Sequence, residues 1–73
     1  MLSLVVGDTG NESFYVKFKY QEVETSYWKD GEMHVFQNSK QHKAAYIKAD
    51  KKLNQMKERR MILGYNIVSI VYE

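Results

Sequence analysis

The sequence predicts an α+β fold: a mostly antiparallel sheet of four to five strands with one long helix packed on one face, in the order β-β-β-β-α-β. Three observations carry this. "FYVKFKY" alternates apolar and polar residues, the period of a half-buried strand. Asp30-Gly31 stands between apolar stretches in "YWKDGEMHVF", the strongest short-range hairpin signal. Between Asn38 or Ser39 and Gly64, apolar residues recur at helical spacing over about six and a half turns.

Taken in order, Leu2 to Val6 is a short apolar strand, and "GDTGNES" is a loop dense in turn formers. In the next strand Phe14, Val16, Phe18 and Tyr20 share one face, and Tyr15, Lys17 and Lys19 the other. Beyond Gln21 the apolar residues fall on odd positions, Val23 and Tyr27. Keeping the even register would bury Glu22 and Glu24, which is costly for unpaired carboxylates. A bulge, bend or tight corner near Tyr20 to Glu22 is therefore expected. With Asp30-Gly31 as a two-residue turn, Trp28 pairs with Met33, Tyr27 with His34 and Thr25 with Phe36, and the second strand runs from about Met33 to Gln37. Tyr27 and Phe36 then join Phe14, Val16, Phe18, Tyr20 and Val23 in the core, and Trp28, Met33 and Val35 face outward.

Asn38 or Ser39 is a suitable N-cap, and Gly64 sits where a helix ends in the left-handed conformation. His42, Ala45, Tyr46, Ala49, Leu53, Met56, Arg60 and Leu63 lie within about 60° of one line and form the core-facing stripe. Ala45 and Ala49 let the N-terminal half approach a sheet closely. "YNIVSIVYE" is apolar on both faces, as in a central strand covered on both sides.

With 73 residues the chain makes one domain, 1–73, and buries only about 60% of its unfolded surface. It has no cysteine and two histidines, His34 and His42, so self-association is the remaining way to reinforce so small a core. Lack of cysteine fits a reducing compartment, and the cytoplasm is expected. The apolar N-terminal run lacks the basic segment and cleavage site of a signal peptide, and no stretch approaches a membrane span of about 20 apolar residues. A net charge of +2 excludes a strongly acidic DNA mimic. Richness in Lys, Tyr, Asn and Ile points to AT-rich coding, as in a phage or mobile-element gene.

"LSLVVGDTG" resembles the strand and Asp-Thr-Gly of aspartic proteases, and "MILG" the apolar-apolar-glycine segment of the retroviral type. That resemblance would make Asp8 catalytic. A glycine precedes Asp8, however, and a long helix has no place in that fold. The same tract resembles the phosphate-binding hairpin of actin-like ATPases, which need several times this length, and it lacks the Gly-Lys-Ser/Thr ending of a P-loop. A turn after the first strand is the expectation. Two histidines do not supply the about four ligands of a zinc site, and no Ser/His/Asp grouping is recognisable. No catalytic residue, metal or cofactor is expected.

Two surfaces remain. Aromatic and Met side chains gathered outside the core favour protein interfaces, so Trp28, Met33 and Val35, with Ile47 on the outer helix face, are expected to dock on a larger protein. A non-enzymatic regulatory protein that inhibits by occlusion, such as a phage accessory protein acting on host machinery, is the leading expectation. The second is a nucleic-acid or ribonucleoprotein binder. Lys48, Lys52 and Arg59 form a basic helix ridge about 17 Å long. Lys40 and Lys43 stand at the positive end of the helix dipole, and Lys17 and Lys19 on the outer strand face.

Overall fold

The computed structural model describes residues 1–7 and 9–73; Asp8 of the Asp-Thr-Gly tract lies outside them. Four strands and one helix follow in the order β1 (Leu2–Val6), β2 (Glu12–Glu22), β3 (Trp28–Gln37), α1 (His42–Glu58) and β4 (Ile62–Tyr72). The sheet order is β1-β3-β2-β4. β2 pairs antiparallel with both β3 and β4, while β1 lies parallel to β3. The fold is α+β with one helix, as the patterning implies. Its sheet is mixed rather than mostly antiparallel, and it has four strands in the order β-β-β-α-β.

The Asp30-Gly31 hairpin does not form. Asp30 and Gly31 lie inside β3, opposite Lys19 and Phe18. The chain turns instead over residues 23–26. There Ser26 N–H donates to Glu22 O and Glu22 N–H to Tyr27 O, both at 2.9 Å, and Ser26 takes a left-handed φ of 62°. A turn here allows ten cross-strand pairs between β2 and β3, against the five that a turn at Asp30-Gly31 would allow. Gain from those pairs outweighs local turn propensity. A corner near Glu22 does therefore exist, and it joins two strands.

Moving the turn reverses the faces of β3. Gly31, Met33, Val35 and Gln37 point to the helix side, and Met33 and Val35 are fully buried beside Phe14, Val16 and Phe18. Tyr27 and Val23, expected in the core, are 70% and 40% exposed, and Phe36 sits on the opposite face of β3 from Val35. The core is closed by Ala45, Ala49, Leu53 and Met56 of α1 and Ile62 of β4. Ala45 and Ala49 are both fully buried, which is the close approach that their size permits.

α1 begins after Gln41, without a side-chain cap, and ends well before Gly64. Arg60 adopts the left-handed φ of 59°. Its N–H donates to Lys57 O at 3.0 Å and Met61 N–H to Met56 O at 2.9 Å, the paired bonds of a Schellman motif. Ending there frees Ile62 to bury opposite Glu22. Tyr46 and Leu63, expected in the buried stripe, are 47% and 43% exposed. A left-handed residue with a Cβ costs about 1–2 kcal/mol, and glycine returns part of that through its looser unfolded state. Arg60→Gly is thus expected to stabilise the protein by about 0.5–1 kcal/mol. A denaturation midpoint that falls would contradict this.

β4 is an edge strand, not a central one. It is covered by α1 on one face only, and Val68 and Val71 on the other are 56% and 53% exposed.

Candidate functional site

One face of the sheet packs on α1, and no described element of the chain covers the other. Strand alternation and register place the side chains of this open face in rows. Trp28, Gln21 and Gly64 form one row, and Asp30, Lys19 and Asn66 the next. Ser3, Glu32, Lys17 and Ser69 follow, then Val5, His34, Tyr15 and Val71. The rows mix apolar side chains with polar ones that hold one another.

Glu32 accepts from Tyr15 OH at 2.8 Å and from Ser3 Oγ at 3.3 Å. The hydrogen bond to Glu32 pushes the Tyr15 phenol above its ordinary range. Lys19 pairs with Asp30 at 3.2 Å. Glu73 lies 3.4 Å from His34 Nδ1 and accepts from Ser13 Oγ at 3.3 Å. That last trio contains a serine, a histidine and an acid, but the acid stands between the other two. Nucleophilic catalysis needs the histidine in the middle to take the serine proton.

Against this polar lattice stand the exposed apolar groups Met1 (86%), Val5 (66%), Val68, Val71 and Trp28 (54%). The Trp28 ring reaches across to Gly64, where an added Cβ would lie 3.7 Å from Trp28 Cη2. Met1, Tyr15, Lys17, Lys19, Asp30 and Val68 surround a shallow concavity of about 310 Å³ on this face.

The four residues expected to bind a protein partner are not brought together. Met33 and Val35 are core, because the hairpin turns at 23–26 and flips their parity. Trp28 alone lies on the open face, and Ile47, 55% exposed, is on α1 in the other layer. Val5, Val68 and Val71 are open-face residues that the sequence reading misses. The alternation of "LSLVV" marks Val5 with Ser3, whereas Val68 and Val71 are hidden in an apolar strand that reads as covered on both sides.

The seven cations divide likewise. Lys17 and Lys19 are on the open face, and Lys40, Lys43, Lys48, Lys52 and Arg59 belong to the helix layer, so no single surface joins them. Lys40 Nζ sits 6.0 Å from the centre of the Tyr72 ring, and Lys48 donates to the buried Gln37 Oε1 at 3.3 Å. No acid stands in the first turn of α1. His34 is on the open face, and His42 packs edge-on to Phe14 in the helix layer at 5.1 Å. Among the described residues no three His, Cys, Asp or Glu groups cluster as metal ligands, and no helix is long and apolar enough to cross a membrane.

On the other flank of α1, Tyr65 of β4 donates to Asp50 Oδ1 at 2.7 Å. This bond, aided by desolvation and the Asp50 charge, pushes the phenol up to about 12. The folded state therefore favours the neutral phenol. Its stabilisation is complete below the ordinary value of 10.0 and is lost as pH rises through about 12. Tyr65→Phe is expected to cost about 1 kcal/mol at neutral pH and to make the alkaline fall in unfolding free energy shallower. An identical alkaline slope in the variant would show that the bond to Asp50 does not matter.

Compared with protein-family models, with curated proteins and with solved structures, the chain finds no match.

Proposed function

We propose that the chain is a non-enzymatic interaction protein that docks the open face of its sheet on a larger protein and modulates it by covering that surface. The observation that supports this is the uncovered face itself, with Met1 and Val68 lining a concavity and Val5, Trp28 and Val71 exposed beyond it. Trp is a frequent anchor of interface energy. Lys19 and Asp30 already pair with each other, so they enter a contact without leaving an orphaned charge, and Glu32 is held by the hydroxyls of Tyr15 and Ser3. Size agrees: three strands of ten or eleven residues give a face about 30 Å long and roughly 15–20 Å wide. That is of the order of the ~800 Å² that each side of a standard interface buries. An accessory protein of phage type, acting on host machinery, fits the chain's size.

The test is tagged capture from the source cell, with and without nuclease. Wild-type protein is expected to retain a protein partner that survives nuclease. Val5→Glu and Val71→Glu should abolish retention with melting temperatures within about 3 °C of wild type, since surface changes stay near 0.5 kcal/mol. Ile47→Glu, in the other layer, should retain it. Unimpaired capture by both open-face variants would rule the reading out.

A second reading rests on α1. Among the described residues Lys48, Lys52 and Arg59 take part in no ion pair, and they share one helix flank that could follow a phosphate backbone. Retention on nucleic acid at low salt, falling steeply with added salt and lost on reversing Lys48 and Lys52 to Glu, would favour it over the first.

A further inference from the structure

Sheet edges are normally blunted by shortness, by Lys or Pro, or by a covering element. β1 is a short edge of five residues. β4 is an edge of eleven, and Ile62–Tyr72 contains no Lys, Arg, Asp, Glu or Pro. Among the described residues its backbone bonds within the sheet run to β2 alone. Two irregularities in that ladder, at Leu63 and Val68, leave both side chains exposed, 43% and 56%, and so add apolar surface to the edge rather than charge.

The charges that flank this strand select an orientation. Arg59 and Arg60 immediately precede β4 but for Met61, and Glu73 immediately follows it. Placed antiparallel, two β4 edges bring the arginines of one copy toward the glutamate of the other at both ends. Placed parallel, they would set arginine on arginine and glutamate on glutamate. We propose that β4 pairs antiparallel with β4 of a second copy about a two-fold axis, giving a closed dimer with one continuous eight-stranded sheet. Both helices lie on one side of that sheet, and the two open faces join on the other. The contact uses the strand edge and does not rest on the docking role of the open face. Closure follows from the isologous pairing, because each copy spends the only long edge among its described residues.

Asn66 is exposed near the middle of β4, so a charge placed there meets its own copy across the axis. Light scattering after size exclusion should give twice 8.7 kDa for the wild type, decreasing to the monomer on dilution. Asn66→Lys and Asn66→Glu should each be monomeric with unchanged circular dichroism, and their equimolar mixture should recover the doubled mass. Hydrogen exchange in the wild type should slow across β4 as concentration rises, which tests the edge even if a variant misfolds. A monomer at every concentration, a mass that grows without limit through β1, a doubled mass in both variants, or a mixture that stays monomeric would overturn the proposal.

Discussion

Truncating Met33 to alanine is expected to destabilise the fold by about 2–5 kcal/mol, whereas Trp28→Ala, on the same strand, costs less than about 1 kcal/mol. Met33 is fully buried on the helix side of β3, between Leu4 of β1 and Val16 of β2, and Trp28 is 54% exposed on the open face. A domain this small lies toward the lower end of the usual 5–15 kcal/mol, with about 5 to lose. The Met33 variant should therefore melt at least about 10 °C below the wild type or fail to fold. Side-by-side thermal melts decide the matter. A larger loss for Trp28→Ala would reverse the assignment of the two faces of β3.

Gly31→Ala is the second large effect, and here the sign is the informative part. Glycine within a strand is ordinarily worse than alanine by roughly 0.5–1 kcal/mol. At Gly31 an added Cβ would lie 2.5 Å from Cε2 and Cζ of Phe18, its cross-strand partner. Phe18 is 1% exposed and has nowhere to move, so overpacking should cost about 1–3 kcal/mol. Phe18→Leu removes the ring atoms concerned. In a double-mutant cycle the Gly31→Ala penalty should shrink when Phe18→Leu is already in place. An unchanged penalty would place the strain elsewhere.

Those two residues also explain what can be read from the sequence. Alternation of Phe14, Val16 and Phe18 identifies β2 because one face of that strand is core and the other carries Lys17 and Lys19. The stripe Ala45, Ala49, Leu53 and Met56 identifies α1 for the same reason, since its opposite face is polar apart from Ile47. β3 offers no such contrast. Met33 and Val35 alternate with His34 and Phe36, both sets are apolar enough to bury, and a shift of one residue exchanges them. The discriminating residue is Gly31, which reads locally as a turn former but serves as the space beneath the Phe18 ring. Arg60 misleads in the opposite way. A left-handed helix end normally shows itself as glycine, and with arginine there the pattern reads as a helix continuing to Gly64.

The open face is legible only in part, because it is made by pairing rather than by any segment. Tyr15, Lys17 and Lys19 stand where the alternation puts them, on an outer strand face. Their neighbours Glu32, Val5 and Val71 come from three other strands. No local pattern reports that Val5, His34, Tyr15 and Val71 stand in one row; that depends on β1 joining β3 in parallel and on β4 taking the far edge.

The parallel seating of β1 sets an order of events. β2 and β3 can close on themselves at once, since Glu22 and Lys29 are 7 residues apart. Ser3 must find Glu32 across 29 residues, and it has no edge to join until β3 is in place. Loop closure over that distance costs entropy before any contact repays it. β1 thus joins only after β3 is in place. Its five residues act as a selvage that finishes both the edge of β3 and the flank of the core, against which Leu2, Leu4 and Val6 pack.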